Sequence, residues 1–332
     1  MSSLSTLVFL LAVISASQEP SIDGDSGLLE FLSGSLATNR ALAEEGHGVF
    51  RVDCQFERTS KRLIIEAEAT WIGDKFAQKM RYYDPNGIIS GRKFPNIAID
   101  STPWDRILVT QDRVYWYIPE QDLVRVSMYQ PNAKSHWFFY ILPQDHWYHC
   151  CPPRPADGPL WSDFLQLKST ATRFVKSVEV SQAGGRIAYK RTDKDGGTLT
   201  VTADPGYCTN ITAYEYKARD GAVRKGNLTW EAGTEPCTLR SMEYTSSLPD
   251  GTLDERYLLT VVSCKFGKVN DRASLSPSGF LRSLPPNTII EDLPANRTYR
   301  LNVAGNAPSR PATWDDLVQE LRGRGFLKGH EK

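Results

Sequence analysis

Three histidines and a cysteine are the side chains of this 332-residue chain that are best suited to chemistry. His136, His146, His149 and Cys150 lie in one short segment. Imidazole nitrogen and thiolate sulfur are ligands that zinc prefers in proteins. The segment could therefore hold the metal ion of a zinc-dependent hydrolase, provided that the elements carrying these residues bring them together.

The spacing of the candidate ligands is poor for a metal site. His146 and His149 are three residues apart, which suits one face of a helix, but Pro143 and Pro152 leave room for about two helical turns. In a strand, the same separation places the two rings on opposite faces. Neither an HExxH nor a CxxC motif is present.

The neighbours of these histidines are mostly aromatic: Trp137, Phe138, Phe139, Tyr140, Trp147 and Tyr148. Such a cluster is typical of a core plug or of a surface that binds another protein. We therefore predict a structural role for the segment, with no metal ion and no other cofactor. A zinc-dependent enzyme stays as the alternative.

Other catalytic signatures are missing from the sequence. It has neither a Gly-x-Ser-x-Gly elbow nor a phosphate loop with Gly-Lys-Ser/Thr. Glu66 and Glu68 form a carboxylate pair that strand alternation directs to solvent, although a two-carboxylate glycosidase stays open. Lys plus Arg and Asp plus Glu number 39 each, so no basic field is available for nucleic acid. We predict a protein that is neither an enzyme nor a nucleic-acid partner.

The first residues predict export. Leu7 to Ile14 form an apolar run, and Ser15-Ala16-Ser17 follows with a small-x-small cleavage pattern. Because a membrane span needs about 20 apolar residues, this run predicts a signal peptide over residues 1–17 and no transmembrane segment in the mature chain. We expect the protein to be periplasmic or extracellular.

An oxidising compartment would favour disulfide bonds. The chain has six cysteines, namely Cys54, Cys150, Cys151, Cys208, Cys237 and Cys264. They allow up to three bridges, and the sequence does not choose the pairing. Cys150 and Cys151 are adjacent, so each is expected to pair elsewhere. The sequence also leaves open whether the Asn-x-Thr sequons at Asn210, Asn227 and Asn296 are used.

The elements around these residues are mainly strands. Residues 25–46 predict a helix with Leu29, Leu32 and Leu36 on one stripe and Gly46 as its stop. From Val49 the period changes to two, most clearly in the segment RLIIEAEATW. About ten closely spaced strands then predict an antiparallel meander, including strands around 174–180, 186–191, 198–203, 211–217, 226–232, 239–244 and 257–264. Thr313 is predicted to begin a C-terminal helix.

This order of elements predicts a mainly antiparallel β fold of the α+β class. A sheet of ten or more strands twists and curls, so we expect an incomplete β-barrel with a concave face. The N-terminal helix, the C-terminal helix and the Pro-rich loop Pro152–Pro159 are the candidates to cover that face. A concavity that is incompletely filled can bind an apolar ligand.

Three segments resemble the LolA-like family, whose members carry lipoproteins to the outer membrane. Residues Leu108 to Val126, LVTQDRVYWYIPEQDLVRV, are similar to its recurrent strand-turn-strand, with Asp112, Pro119 and a Val-rich return strand. The segment EAEATWIGDKFAQKMRYYDPNG looks like its opening hairpin, and LPPNTIIEDLPANRTYRL resembles the closing segment of exported relatives. The resemblance implies a half-barrel covered by helices, with a cavity for acyl chains.

The resemblance also implies a domain division. It covers residues 25–305 as one half-barrel domain, and residues 306–332 are predicted to form a C-terminal helical tail. The chain departs from the family in its six cysteines and in its length, chiefly through an insertion at 134–163. The lid arginine of the family has no identifiable counterpart, so none is assigned.

A hydrophobic ligand is the partner predicted from these observations. Six apolar residues lie on candidate inward strand faces: Trp71, Met80, Tyr82, Val114, Trp116 and Ile118. They are the predicted walls of a cavity for lipid or lipoprotein acyl chains, and packed core is their alternative. A second reading is a filled sheet that docks an envelope protein through the aromatic segment Trp137–Trp147.

Overall fold

The structure is a computed structural model. It describes residues 21–24, 26–73, 75–87, 93, 98–129, 175–233, 237–270, 272–301, 319 and 327–330. Every structural statement below refers to these residues.

Strands dominate the described part of the chain. Two helices have described bounds, α1 (Ser26–Leu42) and α2 (Pro277–Arg282). The strands before the long gap are β1 (Ser21–Gly24), β2 (Glu45–Phe56), β3 (Lys61–Ile72), β4 (Lys75–Tyr83), β5 (Asp105–Val109), β6 (Arg113–Ile118) and β7 (Leu123–Met128). Those after it are β8 (Val175–Ala183), β9 (Arg186–Asp193), β10 (Thr198–Asp204), β11 (Asn210–Lys217), β12 (Val223–Glu231), β13 (Thr238–Ser247), β14 (Leu253–Phe266), β15 (Ile289–Asp292), β16 (Arg297–Leu301) and β17 (Leu327–His330).

All seventeen strands belong to one sheet. Two antiparallel meanders, β2 to β7 and β8 to β14, join where β14 pairs with β2. Two parallel pairs extend the sheet at its ends, β1 with β8 and β7 with β15. The predicted fold class, a large and mainly antiparallel curled sheet with few helices, is confirmed.

The contacts of α1 show how strongly the sheet curls. Asn39 Nδ2 donates to Asn210 Oδ1 on β11 over 2.9 Å, and Ala43 O accepts from Trp71 Nε1 on β3 over 2.8 Å. Five strand-to-strand steps separate β3 from β11, roughly 24 Å in a flat sheet. Asn39 and Ala43 are only about one helical turn apart, roughly 6 Å. The sheet must therefore bend round the end of the helix.

The concave side, called the inner face, carries the larger core. Leu29, Leu32 and Leu36 of α1 pack there with alternate residues of β2 to β6 and of β8 to β14. We call this cluster the inner core. The burial pattern of β3 and β4 follows the two-residue period, so the prediction from RLIIEAEATW is confirmed.

A smaller cluster, the outer core, lies on the opposite side of β5, β6 and β7. Tyr115 and Tyr117 of β6 point to this side, whereas Val114 points to the inner core. Helix α2 covers the outer core, and Arg106 of β5 donates to the carbonyl oxygen of Ser283 just after that helix. Its members are Leu108, Tyr115, Tyr117, Val124, Val126, Phe280, Leu281, Leu284, Ile290, Tyr299 and Leu301.

The structure differs from the sequence predictions near the N-terminal helix and in the C-terminal tail. Helix α1 ends at Leu42, and Gly46 is a strand residue rather than the predicted helix stop. A Cβ at Gly46 would lie 2.4 Å from Cζ2 of Trp71, so the ring above it explains the glycine. Within the predicted tail 306–332, the structure describes Gln319, in a helix, and β17, a strand paired with β16. The domain boundaries stay a prediction.

Candidate ligand-binding face

Strand alternation places all six predicted ligand residues on the inner face. Trp71, Met80, Tyr82 and Val114 belong to the inner core, and Trp116 packs half-buried against it. Ile118 follows Trp116 on the same side of β6 and is buried. The structure therefore brings these residues onto one surface, and their role in ligand binding stays a prediction.

Trp71 is held from three sides at the end of α1. Its indole nitrogen donates to the Ala43 carbonyl, and its ring packs edge-on against Phe266 with centroids 6.2 Å apart. The same ring lies over Gly46, where any side chain would collide with it. Such fixed geometry is typical of a packed wall rather than of a mobile ligand contact.

Gln78 lies between Phe76 and Met80 on the inner face of β4, and no sequence motif identified it. Its Cα partners are Ala69 on β3 and Ile107 on β5, and its side chain is 3% exposed. Alternation alone could have found it, because Phe76, Met80 and Tyr82 were already assigned to that side. A polar residue at a buried position is more informative than its apolar neighbours.

Asp105 is a second inward polar residue that was missed. It is fully buried, pairs in register with Met80, and accepts a hydrogen bond from Trp116 Nε1 at Oδ2 over 2.7 Å. The bond fixes the Trp116 ring against the inner face. Asp105 follows Trp104 in the sequence STPWDR, where no periodic pattern marks it as inward.

A row of tyrosines lines the other arm of the inner face. Tyr189, Tyr214, Tyr244 and Tyr257 occupy linked register positions from β9 to β14. The rings of Tyr244 and Tyr257 stack with centroids 5.2 Å apart. Burial raises the pKa of Tyr189 and that of Tyr244 to about 12, so both stay neutral at physiological pH.

Three buried polar atoms of the inner face have no hydrogen-bond partner within the described chain. They are Gln78 Oε1, the Tyr189 hydroxyl and Asn210 Nδ2. An unsatisfied buried polar group costs about 1–3 kcal/mol, so few native structures keep one without a reason.

The outer face of β2, β3 and β4 is polar and carries cross-strand ion pairs. Glu66 lies between Arg51 and Arg81, with contacts of 2.9 and 2.8 Å, and Glu68 lies 3.8 Å from Lys79. The prediction that this carboxylate pair faces outward is confirmed. Arg81 also stacks over the Trp104 ring at 4.9 Å.

The cysteines divide into one bridge and separate thiols. Cys208 and Cys237 form a disulfide, so the prediction of disulfide bonding is confirmed for this pair. Cys54 and Cys264 are free, and they lie near opposite ends of the β2–β14 pair. Burial raises the pKa of Cys264 to about 12 and raises that of Cys54 further.

The alternative metal ligands His136, His146, His149 and Cys150 lie outside the described residues, as do Cys151 and the insertion 134–163. The structural role of this segment stays a prediction, and a metal site stays its untested alternative. Within the described ranges, no three His, Cys, Asp or Glu side chains cluster closely enough to hold a metal ion. A search of the same ranges finds no helix with the length and apolarity needed to span a membrane.

Comparison with known proteins gives matches at the level of structure. No family model matches the sequence, and neither does any curated protein. The fold is similar to a putative outer membrane lipoprotein-sorting protein domain from Vibrio parahaemolyticus, with 12% identity, a TM-score of 0.41, and coverage of 75% of this chain and 97% of that one.

Two further solved structures are similar over a comparable span. A LolA superfamily protein from Nitrosomonas europaea has 7% identity and a TM-score of 0.40, with 74% of this chain and 97% of that one covered. A DUF1329 family protein from Desulfovibrio piger has 8% identity and a TM-score of 0.39, with 75% and 98% covered.

Proposed function

We propose that the protein is an exported, non-catalytic binding protein whose inner face takes a hydrophobic ligand, either a lipid or the acyl chains of a lipoprotein. The observation that carries this proposal is the continuity of the apolar inner face. Buried apolar side chains follow one another across β2 to β6 and across β8 to β14 around a single covering helix, α1. A curled sheet with such a lining suits an elongated apolar guest.

The energetics of acyl chains fit this surface. Transfer of each methylene from water to an apolar site contributes about 0.8 kcal/mol, so a few methylenes give useful affinity without polar chemistry. Small residues on β3, Ala67 and Ala69, keep the side-chain volume low beside Met80 and Gln78. A chain that enters there would contact backbone and methyl groups.

The second candidate function is an envelope protein-interaction module with a filled sheet. One observation favours it: aromatic rings already occupy the space above several glycines. A Cβ at Gly48 would lie 2.3 Å from the Phe50 ring, and one at Gly226 would lie 2.1 Å from the Tyr214 ring. In this reading the inner core is complete, and a partner binds elsewhere.

Native mass spectrometry of the mature protein, with lipid extraction and metal analysis of the same sample, separates these readings. Bound lipid without metal supports the carrier, and one zinc ion per chain supports the metal-dependent enzyme. A protein that carries neither and binds no added lipid supports the interaction module.

A pair of variants on β3 tests the location. Ala67→Leu adds volume on the inner face and should reduce lipid retention, at a packing cost of about 1–3 kcal/mol. Glu68→Leu adds the same side chain one residue later on the outer face and should retain lipid. Thermal unfolding of both variants shows whether each is folded. Equal lipid retention by two folded variants would contradict an inner-face site.

A further inference from the structure

The amide of Gln78 is an unusual feature of the inner core. It is buried with Phe76 and Met80 on β4 and lies between Ala69 and Ile107 in the sheet. Four apolar neighbours thus surround a group that prefers four hydrogen bonds. Burial of an amide in such surroundings is unfavourable unless it is bonded.

The bonding of this amide is incomplete. Nε2 contacts the Met80 sulfur at 3.5 Å, a weak acceptor, and no described donor reaches Oε1. The nearby main-chain amides of β3, β4 and β5 lie within the antiparallel ladder.

The charge around Gln78 favours a donor over an anion. Asp105 lies on the same face, and its carboxylate already accepts from Trp116. The nearest cation in this register row, Arg125, is 43% exposed and is paired with Glu291 at 3.2 Å. The described surroundings of Gln78 are therefore rich in acceptors, and an anionic group placed there would be buried without a free counter-charge.

We propose that the ligand of the inner face is a neutral amphiphile whose hydroxyl or amide N–H donates a hydrogen bond to Gln78 Oε1. This inference rests on the proposed function and adds the chemical class of the ligand. A site built to bond a donor discriminates strongly against an analogue that lacks it, because its own polar group is then left unpaired. Oε1 is sealed from solvent, so the ligand must displace the side chains packed over it.

Three probes with identical acyl chains test the proposal. Dioleoylglycerol has a free hydroxyl, its acetyl ester has none, and dioleoyl phosphatidate carries an anionic phosphate. The full mature protein should bind dioleoylglycerol about tenfold more tightly than the acetyl ester, the factor for one hydrogen bond of ordinary strength. Phosphatidate should bind more weakly than either, and competition against a fluorescent diacylglycerol measures all three.

Gln78→Met is the decisive variant because it keeps the length of the side chain and removes the acceptor. It should bind the acetyl ester as the wild type does and should lose the preference for dioleoylglycerol. Tyr189→Phe is the matched control. It also removes a buried, unpartnered polar atom from the inner face, but on the opposite arm, and should keep the preference.

The failures of the two proposals are distinguishable. If the wild type binds none of the probes, the proposed function fails, and this inference falls with it. If the probes bind but the wild type does not prefer the hydroxyl, or if folded Gln78→Met keeps that preference, the inference is wrong and the carrier function stands. Tighter binding of phosphatidate than of dioleoylglycerol would also overturn it.

Discussion

The two cores of the molecule treat their polar groups differently. In the outer core, Tyr117 donates to Asp122 over 3.1 Å, and Arg113 pairs with Asp292 at 3.3 Å. In the inner core, Gln78 Oε1 and the Tyr189 hydroxyl have no partner among the described residues. The named groups beside the outer core thus have partners, whereas these two atoms of the inner core have none among the described residues.

This difference bears on which of the two cores is optimised for stability alone. Buried polar groups are bonded in native proteins because each unsatisfied one costs about 1–3 kcal/mol. The pairs of Tyr117 with Asp122 and of Arg113 with Asp292 follow that rule. Gln78 Oε1 and the Tyr189 hydroxyl depart from it on the face that we propose for ligand binding, as expected where function competes with stability.

The largest expected effect comes from breaking the outer core. Asp292→Ala leaves Arg113 mostly buried without its main partner, and we expect a loss of about 3 kcal/mol in the free energy of unfolding. Denaturant unfolding measures it. Glu291→Ala is the matched control one residue earlier on β15, because that carboxylate is 31% exposed and pairs with Arg125 at the surface. The control should cost less than about 1 kcal/mol.

Equal losses in the free energy of unfolding for Asp292→Ala and Glu291→Ala would contradict the predicted difference between the two carboxylates. Asp292 also accepts from the backbone nitrogen of Ala295 over 3.2 Å, so part of the loss belongs to that turn. Arg113→Met, which removes the cation and leaves the turn in place, separates the two contributions. A loss from Asp292→Ala no larger than that from Glu291→Ala would show that the outer core does not depend on its polar groups.

The next effect concerns the disulfide, a covalent tie of the inner core. Cys237 belongs to that core, and Cys208 lies 29 residues earlier in the chain. The paired substitution Cys208→Ser and Cys237→Ser should cost about 2–4 kcal/mol, because it frees the unfolded chain. Asn39 donates to the Cys208 carbonyl over 2.7 Å, so amide exchange in α1 should also accelerate. Cys264→Ser is the control, and protection of α1 in the pair equal to that in the control would contradict the coupling.

The sequence predicts the strands and their inward faces better than it predicts the polar contacts within the two cores. Alternation along Ile65 to Trp71 predicts the inner face, because the polarity of each residue indicates the side of the strand on which it lies. Asn39 and Asn210 meet across 171 positions, and no local pattern predicts such a pair. The prediction that Gly46 ends the helix was wrong, because this glycine leaves room for the Trp71 ring and lies in a strand.

The orphan atoms also lie beyond sequence reasoning, although Gln78 itself does not. Its position on the inner face follows from the period of Phe76 and Met80. The missing partner of Oε1 depends on what β3 and β5 place opposite, Ala69 and Ile107, and hence on register. The short turn between Ile72 and Lys75 fixes the register of β3 with β4, but β4 and β5 are separated by residues 84–104, and no local pattern fixes their register.

Replacing Tyr by Phe should change the free energy of unfolding by small amounts of opposite sign in the two cores. Tyr117→Phe removes the bond to Asp122 and should lower the free energy of unfolding by about 1 kcal/mol. Tyr189→Phe removes a buried hydroxyl that has no described partner, and should raise it by about 1 kcal/mol. Denaturant midpoints at neutral pH measure both. Destabilisation by Tyr189→Phe similar to that by Tyr117→Phe would mean that the Tyr189 hydroxyl is bonded in solution, and the contrast between the cores would not hold.

The smallest effect is the pH dependence of that second variant. Burial raises the pKa of Tyr189 from the ordinary 10.0 to about 12. A group whose pKa is raised by folding contributes stability that is complete below the unfolded pKa and is lost as pH rises through the folded one. Wild type should therefore lose about 0.4 kcal/mol through Tyr189 by pH 10, and more towards pH 12. Tyr189→Phe should lack that part of the loss, so its advantage should grow between pH 9 and 11. An advantage that stays constant over this range would place the hydroxyl in contact with water and remove Tyr189 from the inner core.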